Sequence, residues 1–134
     1  MKFENSWRYK TLENLEQDYR AKPAYGSPLV TRCQELRTIP LDQFTTEDLR
    51  IMISQEIGLE YLLPLAIEVL TIDLFAEGDF FEGDLLKSIF TIQTDFWNTH
   101  ESYRVAIDNL IRDRRTEITA RRFDTTNFDK GSGD

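Results

Sequence analysis

The sequence predicts an all-α fold, a single compact domain of about six to seven helices. Three observations carry that expectation. Leu49, Met52, Ile53 and Ile57 stand at i, i+3, i+4 and i+8, the stripe of one buried helix face. Residues 59–72 (LEYLLPLAIEVLTI) are apolar nearly all round, as a central helix is. Helix-start signatures recur at Ser27 with Pro28 and at Thr45 with Asp48. A length of 134 residues suits one domain with a real core, and 40% hydrophobic with 30% charged residues is a globular composition.

Taken in order, TLENLEQDYR (residues 11–20) reads as a first helix, with Thr11 able to cap it and Leu12, Leu15 and Tyr19 on one face. Pro23, Gly26 and Pro28 then break the chain. Ser27 as N-cap and Pro28 at the first helical position start a second helix, with Leu29, Cys33 and Leu36 inward. Pro40 ends it, and Leu41 with Phe44 plugs the core from a short connector. Thr45 opens the third helix, which acids in its first turn suit electrostatically, and Gly58 fits its C′ position. In the fourth, Pro64 either kinks the helix or marks its true first turn. A strand competes for YLLPLAIEVL, but its length, Ala66 and the place of Pro64 select helix. Residues 73–84 (DLFAEGDFFEGD) form a loop with two glycines and five acids. Asp84 is the expected N-cap of a fifth helix with Leu85, Leu86, Ile89 and Phe90 inward. Thr94 or Asp95 caps a short sixth helix holding Phe96 and Trp97. The last helix is expected from about His100 to Arg122, burying Tyr103, Ile107, Leu110, Ile111 and Ile118. DTTNFDKGSGD lacks apolar periodicity, so the expected organisation is a helical domain over 1–123 and a flexible polar tail over 124–134.

Charge is distributed unevenly. Residues 1–41 carry seven bases and five acids, a net of +2, whereas residues 42–101 carry thirteen acids against only Arg50 and Lys87, a net of −11. Residues 102–134 carry seven bases and six acids. Such a field disfavours nucleic acid and anionic membranes as direct partners and favours a basic protein surface. The amino end, MKFENSWRYK, contains no apolar run like a signal peptide, and Tyr61–Leu70 is broken by Pro64 and Glu68 and too short to span a bilayer. Cys33 alone excludes an internal disulfide and fits a reducing cytosol, so a cytoplasmic protein is expected.

Nothing in the sequence assembles a catalytic centre, and no enzyme activity is expected. One His, one Cys and scattered hydroxyls give no nucleophile–base–orienter set. GxxxxGK[ST] and GxGxxG are missing. The repeated EGD triplets, Glu77–Asp79 and Glu82–Asp84, lack the alternating ligand pattern of a calcium loop, and no metal or other cofactor is expected. A carboxylate-based hydrolase would require a divalent metal. His100 in WNTHES reads as a capping or surface hydrogen-bonding residue, and Cys33 as a buried, inert thiol.

The run FTTEDLRIMISQEIGLEYLLPLAIEVL, followed by AEGDFFEGDLLKSIF and then DFW, resembles the helical immunity proteins of contact-dependent growth inhibition (CDI) systems. The matching pieces are Thr11 to Glu16, Glu47 to Ile53, Gly58 to Ala66, Glu77 to Leu86, and Phe96 with Trp97. The resemblance implies a cytosolic antidote that binds the carboxyl-terminal toxin domain of a cognate CDI effector. Such toxins are commonly nucleases, and a ribonuclease is the expected target. The resemblance transfers no interface residue. The alternative is a helical adaptor protein with no toxin partner.

The contact face is expected from the acidic run itself. Glu77, Asp79, Glu82 and Asp84 form it, with Glu56 and Glu60 as possible neighbours and Phe80 and Phe81 as aromatic anchors beside the acids. At least one of the two phenylalanines is instead expected to fill the core under the loop. The capping role of Asp84 would suffice without any contact.

Overall fold

The computed structural model describes residue 3, residues 5–19 and residues 26–131. A 3-10 turn at Trp7–Tyr9 leads into α1 (Leu12–Glu16), where the Thr11 hydroxyl accepts from the Asn14 amide at 3.1 Å. This helix is shorter than its pattern suggests. Gln17 turns left-handed at φ 53° and ends it, so Tyr19 lies outside on the surface, where its hydroxyl accepts from the Asn14 side-chain amide at 3.1 Å. The break expected at Pro23 lies outside the described residues. α2 (Pro28–Leu36) starts as expected, Ser27 Oγ accepting from the Val30 amide. Cys33 and Leu36 are buried, but Leu29, in the first turn of α2, is exposed.

α3 (Thr46–Ser54) opens with a reciprocal capping box between Thr45 and Asp48. Its inner face of Leu49, Met52 and Ile53 meets α4 (Leu59–Ile72) and α5 (Asp84–Phe90). Gly58 is left-handed at φ 65°, yet it begins α4 rather than closing α3; Glu56, at φ 55°, is the left-handed residue that closes it. Pro64 lies inside α4, five residues beyond its start, so it does not mark the first turn. A proline there supplies no N–H to the carbonyl four residues back. That carbonyl, of Glu60, instead accepts the Tyr103 hydroxyl at 2.6 Å, which joins α4 to α7 (Glu101–Ile111).

α6 (Thr94–Thr99) carries the fully buried Trp97, but no side chain caps it. The Thr94 hydroxyl donates to the Asn127 carbonyl instead. His100 joins α6 to α7, with its ring stacked on Phe96 at 4.0 Å and Nδ1 within 3.0 Å of the Phe96 carbonyl oxygen. The expected last helix is interrupted. α7 passes into a 3-10 turn at Arg112–Arg114, and α8 (Arg115–Ala120) follows. The largest correction concerns residues 124–131, expected as part of a mobile tail. Residues 126–130 form α9 (Thr126–Lys130), whose Phe128 is buried against Trp97 and Phe90. Arg115 pairs with Asp129 at 2.7 Å and fastens α9 to α8. A single aromatic anchor has no periodicity, so a pattern search passes over it. Among the described residues there is no strand, and no helix is long and apolar enough to cross a membrane.

Candidate functional site

The 73–84 loop is tied from beneath by two carboxylates that collect its backbone amides. Asp84, 3% exposed, accepts from the amides of Gly78 (2.6 Å), Phe80 (3.0 Å) and Phe81 (3.3 Å). Glu47, from the first turn of α3, accepts from the Asp79 amide at 2.8 Å. The same carboxylate receives Arg50 through two N–H groups at 2.7 and 2.6 Å. That pairing, against the opposing pull of burial, holds the Glu47 carboxyl below the usual range and raises Arg50. Gly78 leaves room for that carboxylate: a Cβ there would stand 2.4 Å from Glu47 Oε1 and would have to displace it. Gly83, left-handed at φ 93°, occupies the position preceding α5.

Asp84 is therefore not the N-cap expected of it, nor is it available to a partner. It is the first residue of α5, and its carboxylate faces back into the loop. Phe80 and Phe81 correct the expectation that one of them fills the core: they are 69% and 41% exposed. The residue that does fill the space under the loop is Phe75, packed on Phe123 with their ring centres 6.2 Å apart. Arg50 lies over the Phe80 ring at 4.5 Å, and Lys87 over Phe81 at 5.4 Å.

The structure brings Glu77, Asp79 and Glu82 to the surface of one loop. It does not bring Glu56 and Glu60 to them. Glu56 follows the far end of α3 and borders a separate hollow with Glu16, Cys33 and Arg37, while Glu60 is half-buried in the first turn of α4. The loop is also less purely acidic than the sequence suggests. Arg121, from the turn after α8, pairs with Glu82 at 3.0 Å and lies 3.8 Å above the Phe75 ring, with Arg114 over the same ring at 5.1 Å.

Beside the loop, a cleft of about 330 Å³ opens between α3 and α5. Arg50 and Ser54 come from α3, Lys87, Ser88 and Thr91 from α5 and its end, and Phe80, Phe81 and Asp84 from the loop. Sequence reasoning missed this cleft, although one signal was available. Arg50 and Lys87 are the only bases between residues 42 and 101, and both line it. The oxygens of Glu47 and Asp84 already receive N–H groups, which leaves the loop a scaffold for its surface rather than a ligand cage. Among the described residues, no group of three or more His, Cys, Asp or Glu is placed to hold a metal ion.

A family model described as CDI immunity proteins matches residues 12–107, which span α1 to most of α7 and contain the loop and the cleft. No curated protein matches the chain significantly.

Proposed function

The chain belongs to the CDI immunity proteins, whose role is to bind and neutralise a cognate CDI toxin, and from that premise we propose that it inhibits a nuclease toxin, in the first instance a ribonuclease, through the 77–82 face. It acts by occupancy rather than by catalysis. The observation that carries this reading is the exposed set Glu77, Asp79, Phe80, Phe81 and Glu82 on a loop whose amides are fixed by Asp84 and Glu47.

A nuclease holds phosphates with a cationic surface, and carboxylates on a partner occupy that surface or its rim. Complementary charge speeds encounter and selects the partner more than it adds affinity. The affinity then falls to the two exposed rings, which present apolar area on a backbone that needs little further ordering. An antidote that must act quickly and persist is expected to bind with a Kd of about 1 nM or below, about −12 kcal/mol. The buried area is expected near 1,600 Å² in total. Glu56 and Glu60 lie apart from this face, and Asp84 supports it from beneath.

The test is the triple variant E77K/D79K/E82K, titrated against the carboxyl-terminal domain of the effector encoded immediately upstream. The expected outcome is a large, salt-sensitive fall in association rate, with the far-UV spectrum and melting midpoint near those of the wild type. Unchanged association in a folded triple variant would remove the acidic face from the mechanism.

A further inference from the structure

We infer that the cleft between α3 and α5 is an anchor pocket for one large apolar side chain of the toxin, carried on a segment with a neighbouring Lys or Arg. This rests on the reading that the 77–82 face meets the toxin, and adds what the toxin must present there.

The polar groups lining the cleft are almost all engaged within the chain. Ser54 donates to the Ile51 carbonyl, Ser88 to that of Leu85 and Thr91 to that of Ser88, each at 2.6 to 2.7 Å. Asp84 is taken up by loop amides and Arg50 by Glu47. What remains towards solvent is the exposed parts of the Phe80 and Phe81 rings that Arg50 and Lys87 do not cover, the hydroxyl-bearing helix turns with their protons spent, and Lys87 itself. Apart from the Lys87 ammonium, a polar occupant would lose its hydration and find few partners, whereas an apolar one gives up no hydrogen bonds of its own. The volume of about 330 Å³ lies at the small end of ligand sites, which suits a side chain better than an organic cofactor.

Charge fixes the second part. Lys87 at the cleft repels another cation, but the exposed Asp79, close enough to raise Arg50, and the exposed Glu77 stand on the loop that forms one wall. A cation beside the inserted apolar group therefore finds its partners on that loop and not at Lys87. Hot-spot residues of this kind sit in desolvated pockets surrounded by weaker polar contacts.

The experiment uses the full chain and the upstream effector's carboxyl-terminal domain, with Kd and its salt dependence measured by titration. F80A, F81A and the cleft-filling T91W change exposed positions, and melting curves verify their folding. Each is expected to weaken binding at least tenfold with the salt slope unchanged, unlike E77K/D79K/E82K, which changes that slope. Alanine substitution of large apolar toxin residues next to a Lys or Arg should then identify one whose loss is not additive with F80A. If the wild-type chain fails to bind the toxin domain, the underlying immunity reading of this face fails. If it binds, and F80A, F81A and T91W all stay within twofold of wild type, or no apolar toxin residue couples to Phe80, the pocket inference is overturned while the acidic face survives.

Discussion

Removing the Asp84 carboxylate tests whether the loop is built from beneath. In D84A the amides of Gly78, Phe80 and Phe81 lose an ionised acceptor at once. A hydrogen bond to a charged group contributes about 1.5–3 kcal/mol. Three such bonds set an upper range, but water can reach the amides of two residues that are themselves exposed, and bonds sharing one acceptor are not additive. An overall loss of about 3 kcal/mol is the expected figure. With a urea m-value of about 1.5 kcal/mol per molar, the unfolding midpoint falls by roughly 2 M. D84N separates chemistry from shape. One Asp84 oxygen serves Gly78 and the other serves Phe80 and Phe81, so a carboxamide must turn its NH₂ towards one or both of those donors. It should recover part of the loss and not all of it. Toxin affinity should fall further than stability alone requires, because a loosened loop must be ordered on binding. Urea melts of the two variants that stay within about 1 kcal/mol of wild type would refute the hub and the pre-organised face with it.

Three further outcomes are expected. F128A, or truncation after residue 123, removes the aromatic that α9 buries against Trp97 and Phe90, and calorimetry should read a loss of about 3–5 kcal/mol for the substitution. Y103F strands the Glu60 carbonyl that Pro64 leaves open and should cost about 1–2 kcal/mol. Burial pushes the Tyr103 hydroxyl up to about 12, so its contribution is present below its unfolded value near 10 and is lost as pH rises through the folded one; Y103F should flatten the pH dependence of the melting midpoint between about pH 10 and 12. The Arg50 pairing holds Glu47 below its ordinary 4.5, so that stability is present above the unfolded value and lost as pH falls through the folded one; E47Q should reduce the acid sensitivity of the urea midpoint below about pH 5.

The parts of the fold that the sequence made legible are those with repeated signals. The α3 stripe of Leu49, Met52 and Ile53 recurs often enough to fix a period, and the Thr45–Asp48 box announces its start. Short elements gave themselves away less well. The end of α1 depends on one left-handed residue, Gln17, that carries no glycine to mark it. α9 depends on one phenylalanine, and its contacts lie about thirty residues away at Trp97 and Thr94. The site divides similarly. Its acids are contiguous and visible, but their anchor Glu47 lies thirty-two residues upstream of Asp79. Asp84 shows why position alone misleads: a capping residue and a loop hub look identical in a string of letters, and only the direction of the carboxylate separates them.

The same folding-back changes what the charge count means. Thirteen acids against two bases over residues 42–101 suggest a broad negative face. In three dimensions Arg121 returns from the carboxyl-terminal region to Glu82, and with Arg114 it covers the Phe75 ring under the loop. Arg50 and Lys87 lie over the two exposed phenylalanines. The negative field therefore narrows to the edge that carries Glu77 and Asp79, with the rings held by cations beside it. Cation–π contacts at exposed rings contribute about 0.5–1 kcal/mol, enough to bias ring orientation and too little to hide the rings from a partner. In the proposed mode of binding, a narrow charged edge next to the aromatics would divide the labour of recognition: the carboxylates would govern how fast a basic partner arrives, and the rings how long it stays.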